Sequence, residues 1–171
     1  MVDSIETAFR EGYEDILSLA RARLARERSP ISTVTLAHEL YINLRDQTDL
    51  RFPSRQHFLA YSSRAMRSLL VDMARERIAQ KRSAELLPLT LGAHVPDSGG
   101  SPEQLVALDE ALQRLGALDE RLTRIAEMRI LTGMEISDIA AVLGVSEPTV
   151  KRDWQRAKAF LSEAIASPTD E

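Results

Sequence analysis

Cysteine is absent from the 171 residues, which excludes disulfide staples, thiolate zinc sites and a cysteine nucleophile. Aromatics are sparse at 5%, so any core must be built from Leu, Ile, Val, Ala and Met. Seven glycines and seven prolines are spread thinly, and that composition favours helices over a turn-rich β fold. No apolar run approaches the roughly 18–20 residues that a membrane helix needs. The first ten residues carry Asp3 and Glu6 and lack the basic start and apolar run of a secretory signal. The expectation is an all-α, cytoplasmic protein without a membrane partner. His38, His57 and His94 share no metal-ligand spacing, so each reads as a surface or packing residue, and no metal site is expected. No nucleophile–base constellation or phosphate loop is present either, so neither an enzyme nor a bound cofactor is expected.

The formal net charge of −4 argues at first against nucleic acid, because phosphate affinity comes largely from Lys and Arg. The distribution argues otherwise. Between Arg64 and Arg82 six cations face only Asp72 and Glu76, and between Lys151 and Lys158 four cations face only Asp153. From Asp97 to Glu120, six acids face only Arg114. Two basic segments separated by an acidic one is the informative pattern.

Ile5, Phe9, Gly12, Ile16, Ala20 and Leu24 recur at three- or four-residue steps, predicting one helix over about 5–26. Ser29-Pro30 ends it, since the residue before a proline is pushed out of the helical region. A second helix starts in Ser32-Thr33-Val34-Thr35, where hydroxyls can accept from free N–H groups. Leu36, Leu40 and Leu44 supply its buried stripe. Ser54 is a candidate cap for a long helix to about Arg82, apolar on more than one face and basic and solvated from Arg75 onward. Residues 1–82 therefore read as one helical domain. Residues 83–101 lose all periodicity and carry Pro88, Gly92, Pro96, Gly99 and Gly100, which reads as a flexible tether. Ser101-Pro102-Glu103 then opens a second helical domain, 102–171, with a cap, a first-turn proline and an acid at the positive helix end.

The sharpest signal runs from Met134 to Lys158. Ile136, Ile139, Ala140 and Leu143 form the inner face of a short helix, and Ala140 is small where a second helix must cross. Gly144 permits the left-handed geometry of a tight turn, Val145 plugs the crevice, and Ser146 caps the next helix. There Val150, Trp154, Ala157 and Leu161 share a core face. The other face shows Glu147, Thr149, Lys151, Arg152, Gln155 and Arg156, donors and acceptors suited to base edges and phosphates. This is the pattern of a helix-turn-helix with a recognition helix for the major groove.

The stretch from Pro102 to Leu161 resembles domain four of sigma-70-type factors, including Leu118-Asp-Glu-Arg121 where that family often has Leu-Pro-x-x-x-Arg. The first eighty residues resemble domain two. Leu36-Ala-His-Glu-Leu-Tyr-Ile42 sits at its core-binding helix, and Arg67-Ser-Leu-Leu-Val-Asp-Met-Ala-Arg75 resembles its Arg-Asn-Leu-Ala-Ile-Asp-Tyr-Leu-Arg segment. Two domains on a tether is the layout of the extracytoplasmic-function (ECF) group. The resemblance implies a sigma factor whose partners are the core RNA polymerase, through the β′ coiled coil and the β flap, and promoter DNA. It implies polymerase binding by Leu36, His38, Glu39 and Tyr41, and −10 element binding by Arg64, Arg67, Ser68, Arg75 and Arg77. The −35 element would fall to Glu147, Thr149, Lys151, Arg152, Gln155 and Arg156. Melted strands need cationic surface and pockets for unstacked bases, and duplex readout needs a helix in the groove.

One departure matters. The family places acids just before its core-binding helix, and this chain has Ser32-Thr33-Val34-Thr35. Lost rim charges weaken docking on a basic partner. A phosphate adds about −1.5 to −2 charge and suits a helix N-terminus, so a Ser/Thr kinase acting on Thr33 or Thr35, or on Ser32, would restore what is missing. The alternative is that the hydroxyls only cap the helix. A different class altogether is a stand-alone helix-turn-helix regulator with an N-terminal partner- or ligand-binding domain. A third is an adaptor that sequesters core polymerase, which would not need two basic helical faces.

Overall fold

The computed structural model describes residues 4–27, 31–85 and 100–167, and among these every regular element is a helix, with no strand. The elements are α1 (Ile5–Glu11), α2 (Tyr13–Glu27), α3 (Thr33–Arg45), α4 (Arg55–Glu85), α5 (Pro102–Leu118), α6 (Glu120–Glu127), a π-helical turn (Met128–Thr132), α7 (Ile136–Leu143) and α8 (Glu147–Ala166). The expected all-α class is what is found. The tether falls mostly on residues 86–99, outside the described residues; its first part, through Glu85, is a continuation of α4.

Capping chemistry sets the boundaries. Ser32 Oγ accepts from the Thr35 amide at 3.1 Å, Ser101 and Gln104 form a reciprocal capping box, and Ser146 Oγ accepts from the Thr149 amide at 3.4 Å. Each meets a first-turn donor that the helix itself leaves free.

The single helix expected over 5–26 is instead two segments broken at Gly12. A Cβ there would lie 2.8 Å from Phe58 Cε1 and 3.0 Å from the Ala8 carbonyl oxygen. The ring of α4's Phe58, itself 1% exposed, is seated where a side chain would be, so packing rather than backbone freedom requires the glycine.

α1 to α4 enclose a core in which Ile16, Leu36, Leu40, Leu44, Phe58 and Met66 are fully buried. Phe52 and Phe58 meet edge to face at 5.3 Å, and Asp15 accepts from Arg55 Nε at 2.6 Å, tying α2 to α4. The second half holds two smaller cores. One joins α5, α6 and α8 through Leu112, Leu115, Ala126 and Ala157, and the other joins α6 and the π-helical turn to α7 and α8 through Ile125, Met128, Ile139 and Val150.

The halves are packed together. α4 has 31 residues, about 46 Å at 1.5 Å per residue, and serves both. Leu105 of α5 is buried in the first core with Val106 against it, while Leu59 and Ala60 of α4 pack against the core of the helix-turn-helix.

Substituting Gly12→Ala adds a methyl where Phe58 already sits. Overpacking of this kind costs about 1–3 kcal/mol, offset in part by the better helix propensity of alanine. The midpoint of thermal unfolding should fall by roughly 2–6 °C; an unchanged or raised midpoint in a calorimetric scan would contradict the packing.

Candidate nucleic-acid interface

The helix-turn-helix is assembled as its residues dictate. α7 ends at Gly144 with φ +65°, left-handed backbone that admits glycine without strain. Ile139 and Val150, from the two helices, are fully buried against each other's core. From α8, Glu147, Lys151, Arg152, Gln155 and Arg156 are exposed and Thr149 is half-buried. All six residues expected to contact the −35 element thus lie on α8, five of them in solvent. Trp154, expected in the core, is half-buried between the two cores of this half. The Arg129 guanidinium lies 5.9 Å and the Lys158 ammonium 5.6 Å from its ring centre, close enough for cation–π attraction. Arg129 Nη1 also donates to the Met134 carbonyl at 2.6 Å, fixing the chain as it enters α7.

Asp153 is the residue that charge counting misses. It is completely buried, and Arg121 Nη2 of α6 approaches its Oδ2 at 2.7 Å. Arg152 Nε and Arg156 Nη1 stand 3.5 and 3.7 Å from its Oδ1. A carboxylate on the core side of the recognition helix thus anchors α8 to α6 and draws on two of the arginines that face outward. The signal was present in the sequence: Val150, Asp153, Ala157 and Leu161 occupy one stripe, and an acid on an apolar stripe calls for a buried cation.

The cations of α4 are disposed unevenly. Ser68 and Arg77 are exposed, and Arg64 and Arg75 keep about half of their side chains in solvent, at 55% and 49%. Arg67 is only 10% exposed, with Nε 3.2 Å from Asp109 Oδ1 and Nη1 3.0 Å from Glu127 Oε1. Arg64 Nε lies 2.9 Å from Glu127 Oε2, and Arg75 Nη2 is 3.8 Å from Asp109 Oδ2. Both acids are buried and belong to the second half. At the far end of α4 the pattern repeats more weakly. The Glu103 carboxyl is held below its ordinary range, first by its own backbone N–H at the start of α5, then by Ser101 and by the charges of Lys81 and Arg77.

On α3, His38 and Glu39 are exposed and Tyr41 is half-buried, whereas Leu36 is completely buried. Leu36 therefore holds α3 in place, and its surface is formed by its neighbours. Val34, Ala37, His38 and Tyr41 line a shallow depression with Phe9 and Tyr13, and Val34 is 60% exposed. No acid occupies the first turn. Ser32 and Thr35 are exposed, Thr33 is half-buried, and the Ser32 and Thr35 hydroxyl oxygens lie 2.8 Å apart.

A capped helix-turn-helix with a cationic outer face, joined to a helical half carrying a second cationic helix, defines a DNA-binding transcription protein. The sequence matches the family model described as ECF sigma factor over residues 3–167. The chain belongs to the ECF sigma factor family, and as such is an RNA polymerase sigma factor for transcription initiation, with core polymerase and promoter DNA as its partners. No curated protein and no solved structure matches it. Among the described residues no helix is long and apolar enough to cross a membrane.

The buried pair between α6 and α8 can be tested by asymmetry. Arg121→Ala strands a buried carboxylate, which should cost about 3 kcal/mol, the low end for losing one partner of a buried pair because Arg152 and Arg156 remain near. Asp153→Leu removes the buried charge itself and leaves Arg121 half in water, so it should cost less. Denaturant midpoints in the opposite order would refute the assignment.

Proposed function

We propose that residues 1–82 act as sigma domain two and residues 102–171 as domain four, with residues 83–101 between them. The outer face of α8 reads the −35 element, α4 engages the −10 element and α3 docks on the β′ coiled coil of polymerase. The observation that carries the reading is the exposure, along one face of α8, of Lys151, Arg152, Gln155 and Arg156, side chains able to reach base edges and phosphates in a major groove. On α4 the same logic assigns Arg64, Arg67, Ser68, Arg75 and Arg77 to melted promoter DNA. Neither half alone makes enough contacts to bind tightly, and one polymerase holding both raises their effective concentration on a promoter.

Docking through α3 depends on Val34, His38 and Tyr41 beside Phe9 and Tyr13, with Glu39 the exposed acid of the helix. An apolar surface with so little negative charge suits a basic partner poorly. Phosphorylation by a Ser/Thr kinase would correct this. Thr35 is the favoured acceptor: it is exposed and stands in the first turn of α3, where negative charge is stabilised by the helix dipole. Thr33 is half-buried, and Ser32 Oγ already serves as the helix cap, which ranks both behind it.

Reconstitution with core polymerase on a promoter library, with and without kinase treatment, tests the whole reading. Arg152→Ala and Arg156→Ala should each weaken −35 recognition by about 1–3 kcal/mol while leaving polymerase binding intact. Kinase treatment should raise polymerase affinity in the wild type and in Thr33→Ala but not in Thr35→Ala. Equal affinities of all modified and unmodified forms would exclude the switch without touching promoter recognition.

A further inference from the structure

Asp153 sits in the middle of the helix assigned to the −35 element, on its inner side. Its side chain is 0% exposed, in the stripe of Val150, Ala157 and Leu161. Arg121 Nη2, 2.7 Å from Oδ2, is enough to balance its charge and hold α8 to α6. The other oxygen is left to the recognition face: Arg152 Nε and Arg156 Nη1 stand 3.5 and 3.7 Å from Oδ1. Stability alone explains this arrangement poorly, because a well-packed apolar side chain in place of a buried ion pair is often neutral or better. The acid points to a use that an apolar residue could not supply.

That use lies in the two outward arginines. They are four residues apart on one helix face, 66% and 59% exposed, and Lys151 and Lys158 add two further cations to the same segment. Like charges at this spacing repel, and a free guanidinium on a long side chain takes whatever phosphate it can reach. Phosphate contacts carry no sequence information. A guanidinium drawn back to a fixed carboxylate loses that freedom. Arg152, engaged through Nε, keeps Nη1 and Nη2 for a partner, and that pair matches two acceptors on one base edge in a major groove. The pull on each arginine is modest, since both stand more than half in water, so it biases their orientation without sequestering their charge.

We propose that Asp153 is a positioning residue for promoter reading. From beneath the recognition helix it restrains Arg152 and Arg156, so that they serve base edges and give up chance phosphates. The buried acid thereby sharpens discrimination between promoters, chiefly by weakening the hold on wrong sequences. The inference rests on the reading of α8 as the −35 surface.

Asp153→Asn keeps the shape of the side chain and removes its charge. Holoenzyme reconstituted from the full chain and core polymerase is measured on two promoter duplexes, one with the −35 element that the wild type selects from a library and one with that element scrambled. The ratio of the two affinities should fall roughly three- to tenfold in Asp153→Asn, mainly through tighter binding of the scrambled duplex. The salt dependence of that binding should steepen by about one phosphate contact. Arg121→Lys disturbs the anchor between α6 and α8 and leaves Arg152 and Arg156 their carboxylate. It should lower the thermal midpoint and keep the ratio.

An unchanged ratio in Asp153→Asn, with both duplexes weakened alike or not at all, marks a purely structural role and overturns the proposal. So does an equal fall of the ratio in Arg121→Lys, or a fallen ratio without the steeper salt dependence. If Asp153→Asn does not fold, the wild-type chain decides. Nitrogen-15 relaxation of its arginine Nε–H groups must show Arg152 and Arg156 more ordered than the exposed Arg82 of α4, and equal disorder refutes the restraint. Should Arg152→Ala and Arg156→Ala leave −35 recognition intact, the assignment of α8 itself fails. Should they weaken it while Asp153→Asn keeps the ratio, only this inference falls.

Discussion

A guanidinium removed from water must be met by anions, and the architecture of this protein turns on how Arg67 is met. Its partners, Asp109 and Glu127, come from α5 and α6, beyond the segment that links the two halves. The desolvation of one arginine and two carboxylates is large, and only their mutual attraction makes it tolerable. Once that triad is set, α5 must lie along α4, Leu105 must enter the first core, and the helix-turn-helix must stand beside Leu59 and Ala60. The same reasoning applies on a smaller scale at Asp153, where a buried carboxylate and Arg121 decide how α8 sits on α6.

α4 is the common spine of these relations. Its apolar faces serve the cores of both halves, and its polar face carries Arg64, Arg67 and Arg75 in a row. An ordinary surface helix needs one apolar stripe. α4 has Phe58, Met66 and Leu70 buried among α1–α3 while Leu59 and Ala60 serve the other half. That is the physical meaning of the several apolar faces visible in its sequence.

Much of this was legible before any coordinates. Ser32, Ser54, Ser101 and Ser146 announced helix starts because a hydroxyl at a cap has one evident use, and Gly144 announced the tight turn. The cationic face of α8 followed from spacing alone. Two things were hidden. Gly12 fitted the apolar stripe of one continuous helix, and only the ring of Phe58, distant in sequence, shows why no side chain can stand there. Asp109 and Asp153 enter the sequence reading only as charges within their segments and Glu127 does not enter it, yet all three are buried. Each sits on or beside an apolar stripe, which hints at burial. Which cation answers each acid depends on tertiary placement that no local pattern encodes. Leu36, expected among the residues that meet polymerase, is wholly interior for a similar reason: the stripe it shares with Leu40 and Leu44 faces α2 and α4.

The π-helical turn at Met128–Thr132 follows directly on Glu127 and closes at left-handed Gly133. A single extra residue in a helical turn advances everything after it by about 100° around the axis. The acid that grips α4 and the apolar residues that seat α7 are therefore out of phase by design of the backbone, like two gears keyed to one shaft at different angles. A one-residue deletion there would rotate Glu127 and the buried Leu131 out of their present relation, so the chain length of this turn is fixed by geometry.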